Sequence, residues 1–206
     1  MYSWILGLLL CSTPASEWIL VERVVAVVAD EPVLASELDR RVEIASVPLA
    51  KLPDAAERQR RNASLRSELL QTIIDERLID QAAARLGIAI EESQLDAAVT
   101  EIKSANRLDD ASFARALAET GSTLPEYRED LRRQLLRFKL LMTLPNGSAA
   151  TSDAAVAAAH AAEKANNPNL GDLAAESSRL RTVLFERAIS DWLATARRVT
   201  HVELRP

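Results

Sequence analysis

Residue types that commonly carry chemistry are sparse in this 206-residue sequence. His160 and His201 are its two histidines, and no recognised metal-ligand spacing accompanies either of them. The five glycines are scattered singly, so no glycine-rich loop is available to cradle a phosphate. We therefore expect both histidines to face solvent, and we predict no catalytic residue, metal site or cofactor.

Two pairs of adjacent carboxylates, Asp75-Glu76 and Glu91-Glu92, are the remaining candidates for acid–base chemistry. Both pairs lie in segments with helical periodicity, where adjacent residues point to different faces. Such pairs converge poorly on one substrate atom. We interpret them as solvated surface.

Basic residues cluster in two predicted helices, and one alternative is that they contact nucleic acid. Acidic residues are interspersed among them, and the net charge of the chain is -5. A nucleic-acid-binding protein normally has a basic footprint, so we favour a solvated helix face. The clustered residues are Arg58, Arg60 and Arg61 in one helix and Arg128, Arg132, Arg133, Arg137 and Lys139 in the other.

An apolar run, Phe-Lys-Leu-Leu-Met at 138–142, contains more apolar residues than one helix stripe buries. We predict that part of this run faces a groove that binds apolar peptide. The alternative is that each of these side chains packs in the core. The candidate peptide-binding residues are Phe138, Leu140, Leu141, Met142 and Leu144, with Trp192 as a second position.

The first 15 residues have the pattern of a signal peptide, although no lysine or arginine precedes the apolar stretch 4–10. Thr13 and Ala15 supply small residues before a cleavage site. We predict export to the periplasm. Lipid anchoring at Cys11, the single cysteine, is a minor alternative, and an apolar N-terminus of a cytosolic protein is another.

A strand is predicted near each end of the remaining chain. Residues 24–28 form a continuous β-branched run, a short return strand follows the turn at 30–32, and residues 199–204 alternate in polarity. Strands in a core need backbone partners, so the first and last strands are expected to pair. The predicted fold is mainly α with a small β element that joins the N-terminal and C-terminal strands.

Helix start and stop signals divide the sequence between these strands. Residues 145–153 read as a linker and 154–164 as a marginal helix, and the last long helix is predicted at 172–198. The predicted caps are Ser36, Asp54, Asp109 and Thr123 at helix starts and Gly87 and Gly121 at helix ends. The predicted inward-facing residues of the last helix are Leu180, Val183, Leu184, Trp192 and Ala196.

Segments throughout the chain resemble, in order, the SurA-type chaperone family. The similar segments are VVAVVADEPVLASELDRRV at 24–42, LLQTIIDERLIDQAAARLGI at 69–88, the stretch 113–141, the stretch 150–168 and the stretch 181–204. The resemblance implies a SurA-like helical chaperone core. It also implies partners that are unfolded or extended polypeptides, such as outer-membrane β-barrel proteins.

The sequence departs from this family at two places. Between residues 168 and 173 there is no room for the parvulin prolyl-isomerase domain, which needs about a hundred residues. Glu91 also stands where the family usually has serine or threonine before a helix. The predicted organisation is therefore a signal peptide at 1–15, a helical chaperone domain at 22–144, a linker at 145–171 and a closing helix and strand at 172–206.

The resulting prediction is an ATP-independent periplasmic holdase without prolyl-isomerase activity. It is expected to bind no nucleic acid, to take no small-molecule substrate and to have no membrane span. Two alternatives stay open: an isomerase-family protein with residual activity, and an adaptor that binds one fixed partner in the cell envelope. The number of different clients separates a chaperone from an adaptor.

Overall fold

The structure is a computed structural model that describes residues 22–205 of the chain. The predicted signal peptide and Cys11 lie outside the described residues. Eight α-helices are found in the described part: α1 Ala35–Ser46, α2 Ala55–Arg85, α3 Glu92–Ala105, α4 Asp110–Glu119, α5 Leu124–Thr143, α6 Gly147–Ala150, α7 Asp153–Asn166 and α8 Leu173–Val199. A short 3₁₀ helix, Val47–Lys51, follows α1.

A three-stranded antiparallel sheet joins the two ends of the described chain. Its order is β2-β1-β3, formed by Glu31–Leu34, Val24–Val28 and Val202–Leu204 respectively. Ala26 is opposite Leu204, and the Ala29 N–H donates to the His201 carbonyl oxygen at 2.7 Å. The predicted pairing of the first and last strands is confirmed, because the apolar run in β1 finds its backbone partners on both sides.

Most helix boundaries follow local capping chemistry. The side chains of Asp54 and Asp109 accept backbone N–H groups at 2.8 Å, and Thr123 and Glu126 form a capping box. Gly87 and Gly121 adopt left-handed φ angles of 66° and 76° at helix ends, where glycine carries no steric penalty.

Two helix starts differ from the simplest sequence interpretation. Glu91 is the N-cap of α3 and forms a capping box with Gln94, so the departure from serine or threonine does not remove the cap. The prediction that Ser36 caps α1 is wrong. The N-cap is Leu34, two residues earlier, because β2 runs directly into the helix.

Two hydrophobic clusters organise the molecule. The first packs the sheet against α1 and α2, and Leu193 and Ala196 of α8 and Val202 of β3 lie against it. The second joins α3, α4 and the first half of α5 through Leu95, Val99, Phe113, Leu117 and Leu131. Because α5 also contacts α2 and α8, it connects the two clusters.

The predicted linker is more ordered than expected. Residues 147–150 form the short helix α6, and α7 packs against α8. Arg179 of α8 pairs with Glu163 of α7 at 2.5 Å, and His160 of α7 lies 2.9 Å from the Gly171 carbonyl oxygen. The alanine-rich helix is confirmed, and tertiary packing rather than composition stabilises it.

The inward face of α8 was only partly predicted. Leu180 is buried and Leu184, Trp192 and Ala196 are half-buried, but Val183 is 49% exposed and the prediction for it is wrong. Val183 faces outward because α8 packs on α7 at one end and on the first cluster at the other. Within residues 22–205, no helix combines the length and apolar content needed to cross a bilayer.

Candidate functional site

A cleft of about 1040 Å³ opens between α1, α2, α5 and α8. Four apolar side chains contribute to its surface: Ile44, Leu69, Ile79 and Leu193. Charged side chains outnumber them. The charged lining residues are Glu37, Arg40, Arg41, Asp75, Glu76, Glu126, Glu129, Asp130, Arg133 and Arg137.

A bidentate ion pair joins α1 and α2 within the cleft lining. Arg41 donates to both carboxylate oxygens of Glu76, at 3.0 and 2.6 Å. This hydrogen bonding raises the pKa of Arg41, against an opposing effect of burial. Glu76 is only 21% exposed, so the prediction that the Asp75-Glu76 pair is plain solvated surface is wrong. Two parallel hydrogen bonds make such a pair geometrically specific.

Further arginines pair with carboxylates on the other walls. Arg133 of α5 lies 3.6 Å from Glu76 and also pairs with Asp130. Arg197 of α8 pairs with Asp75 of α2 at 2.7 Å. The four arginines of the α5 cluster therefore pair with carboxylates, including some on α2, α3 and α8, which reduces the positive field that nucleic-acid binding needs. Lys139 instead donates to the Ala89 carbonyl oxygen and to Gln94 Oε1.

One ion pair crosses the opening of the cleft. Arg40 of α1 donates to Glu126 of α5 at 3.1 Å, with 70% and 40% of the two side chains exposed. Glu126 also accepts the backbone N–H of Thr123, and this bond is the largest cause of its lowered pKa. Solvent screens an exposed pair of this kind, so it adds little stability and does not hold the cleft closed.

Asp80 of α2 is a half-buried carboxylate. It makes no hydrogen bond or ion pair within the part of the chain that the structure describes. Burial raises its pKa, Arg77 lowers it, and the charges of Glu76 and Glu31 raise it further. A folded-state pKa above the unfolded value means that ionised Asp80 destabilises the fold.

We expect Asp80→Asn to raise the free energy of unfolding by about 0.5–1 kcal/mol at neutral pH. The protonated form is favoured in the folded state, so the cost grows as pH rises through the folded pKa. The gain should therefore vanish only at pH values well below the unfolded pKa of about 3.9, where both states are protonated. Urea titrations of the parent and of Asp80→Asn, at neutral pH and at a pH well below the unfolded pKa, measure the difference in the free energy of unfolding. The control is Asp191→Asn, because Asp191 is an exposed carboxylate on α8. An equal gain in stability there would contradict the conclusion that burial of Asp80 causes the effect.

The structure separates the residues that the sequence predicted to bind peptide. Phe138 is 51% exposed and stacks on Phe185, with ring centroids 6.1 Å apart. Leu140 and Leu141 are 0% and 2% exposed, so they belong to the core and a ligand cannot contact them in this conformation. Met142, Leu144 and Trp192 are half-buried.

None of these six residues lines the cleft. Sequence reasoning missed the cleft because it searched for apolar residues. The sequence signal for the cleft was the set of charged residues on α1, α2 and α5. These residues form ion pairs only once the helices pack together.

Comparison with known proteins identifies the family of this chain. Residues 21–140 match the family model described as the SurA N-terminal domain. The chain belongs to this family. Among SurA relatives, Chaperone SurA of Bordetella pertussis is 30% identical over 149 residues, which cover 70% of this chain and 27% of that protein. Chaperone SurA of Alcanivorax borkumensis is 32% identical over 121 residues, which cover 59% of this chain and 27% of that protein.

The matched segment is thus about a quarter of the length of these SurA proteins. A solved structure from Campylobacter jejuni, described as one of two structurally related SurA-like chaperones, superimposes with a TM-score of 0.52 at 12% identity. The alignment covers 88% of this chain and 98% of that chain. The prediction of a SurA-like, mainly α fold with a small sheet is therefore confirmed.

Proposed function

We propose that this SurA-family chain is an ATP-independent chaperone that holds unfolded polypeptides in the cleft between α1, α2, α5 and α8. The supporting observation is the cleft itself. Its volume of about 1040 Å³ is at the upper limit of small-molecule pockets, roughly 300–1,000 Å³, and it is open at the surface. An open trough of this size suits an extended chain segment.

Binding in such a trough does not require a nucleotide or a covalent step. Leu69, Ile79 and Leu193 give the cleft an apolar floor, and the paired charges surround it. The clients proposed are unfolded outer-membrane β-barrel proteins, whose strands alternate apolar and polar residues. Release is passive, so affinity must be modest.

Prolyl isomerisation is not part of the proposal. The segment between α7 and α8 is residues 167–172, far shorter than the hundred or so residues that a parvulin domain needs.

The proposed location is the periplasm, with the chain soluble after cleavage of residues 1–15. Lipid anchoring at Cys11 is the minor alternative. The stack of exposed Phe138 on half-buried Phe185 is proposed as a secondary contact for client aromatic side chains.

Filling the cleft tests the proposal. Thr72 is exposed in the cleft, and its hydroxyl bonds only to the Glu68 carbonyl oxygen of its own helix. We expect Thr72→Trp to occupy the trough and to raise the Kd for unfolded client at least about tenfold. The measurement is light scattering of a urea-unfolded outer-membrane β-barrel protein after dilution, with increasing amounts of the purified chain.

A matched control is available on α3. Thr100 is exposed, and its hydroxyl donates to the Asp96 carbonyl oxygen in the same way, but it lies outside the cleft. Thr100→Trp should suppress aggregation as well as the parent chain does. Equal activity of Thr72→Trp and the parent would refute the cleft as the binding site. Suppression limited to one client among several would instead favour an adaptor.

A further inference from the structure

An exposed apolar side chain of the cleft lining has a second exposed apolar side chain beside it on the chain, just outside that lining. Ile44 lines the cleft and is 60% exposed, and Val47, three residues on, is 62% exposed. Residues three apart on a helical segment lie on one side of it. This apolar rim, Ile44 and Val47, therefore continues the cleft surface outward along the end of α1.

The other apolar residues of the cleft offer less surface to a ligand. Ile79 is 4% exposed, and Leu69 and Leu193 are half-buried against the first hydrophobic cluster. Most of the exposed apolar surface that a large apolar side chain can contact in the cleft therefore lies at the rim. The rim is where burial on binding can contribute most.

Every charged side chain of the cleft lining already has an oppositely charged partner, either within the lining or on α8. Each of the four lining arginines has a carboxylate partner, and each of the six lining carboxylates has an arginine partner. A charged side chain that enters must either remain unpaired or displace an existing partner. Both routes cost free energy, because a partly desolvated ion without a counterion is unfavourable.

We infer that the cleft selects extended, uncharged polypeptide segments, and that the apolar rim formed by Ile44 and Val47 anchors one large apolar side chain of each segment. This inference rests on the proposed function and names the class of segment that the same site takes. Uncharged polar side chains can hydrogen-bond to the paired charges without separating them. Selectivity comes from the paired charges, and affinity comes from the rim.

Short labelled peptides test the charge selectivity. The reference peptide has one central leucine flanked by serine and threonine, with blocked termini, and in two variants lysine or glutamate replaces two flanking residues. We expect both charged peptides to bind at least about fivefold more weakly by fluorescence anisotropy. The lining has six carboxylates and four arginines, so simple attraction would favour lysine. Tighter binding of either charged peptide would overturn the inference.

Rim variants test the anchor. Ile44→Ser with Val47→Ser should raise the Kd of the reference peptide about tenfold, because less apolar surface is buried. The control is Val183→Ser with Val199→Ser, which removes apolar groups that are 49% and 79% exposed outside the cleft. We expect the control pair to bind like the parent. Unchanged binding by the rim variant would refute the anchor.

The two proposals fail in distinguishable ways. If Thr72→Trp abolishes peptide binding while the rim variant binds normally, the cleft is the binding site and the inference about the rim is wrong. If Thr72→Trp binds the reference peptide normally, the cleft is not the binding site and both proposals fall. Unfolding midpoints of all the variants, measured in parallel, show that each protein is folded.

Discussion

Replacement of Leu140 by alanine is expected to lower the free energy of unfolding by about 2–5 kcal/mol. Leu140 is 0% exposed on α5, so the change removes buried apolar contacts and leaves a cavity. At the upper end of that range the loss is comparable to the whole stability of a small domain. Urea denaturation followed by circular dichroism measures it.

Phe138→Ala is the matched comparison on the same helix. Phe138 is 51% exposed and loses chiefly its stacking on Phe185, so the expected stability loss is about 0.5–1.5 kcal/mol. The sequence placed both residues in a peptide-binding run, whereas burial assigns Leu140 to the core. Unchanged stability of Leu140→Ala together with weaker client binding would reverse that assignment.

Gly147→Ala is expected to destabilise the chain by about 1–3 kcal/mol or more. A Cβ atom on this buried glycine of α6 would lie 2.5 Å from the carbonyl carbon of Leu141, and closer still to its oxygen. The obstruction is backbone, which cannot move aside as a flexible side chain can. The turn from α5 into α6 would have to open, and thermal or urea unfolding reports the cost.

Gly171→Ala is the control for this substitution. Its nearest neighbour would be a carboxylate oxygen of Glu176 at 3.2 Å, at the end of a flexible side chain. We expect a change within about 0.5 kcal/mol there. Equal effects at the two glycines would show that loss of backbone freedom, and not the close approach to Leu141, controls the tolerance of position 147.

Short-range chemistry made much of the fold predictable. Asp109 and Thr123 cap helices because their side chains reach backbone N–H groups within three residues, a geometry that the sequence alone specifies. Gly87 and Gly121 end helices for an equally local reason, their left-handed backbone. The pairing of β1 with β3 followed from a different constraint, since a buried strand must have partners and few were available.

The candidate site was far less predictable. Arg41 is 35 residues from Glu76, and Arg197 is 122 residues from Asp75, so neither pair has a local signature. The acidic pair on α2 was interpreted as solvated surface because adjacent helical residues diverge. That divergence is what allows Asp75 and Glu76 to reach arginines on different helices.

By itself, the sequence determined most of the helices and their caps, the two strands that meet and the family to which the chain belongs. All of these features depend either on interactions within a few residues or on patterns that are visible in the sequence alone. Only the tertiary structure decided that Leu140 and Leu141 are core, that Val183 faces outward and that the cleft has paired charges and an apolar rim. The physical reason is that burial and ion pairing depend on which helix faces meet, and helical periodicity leaves that choice open.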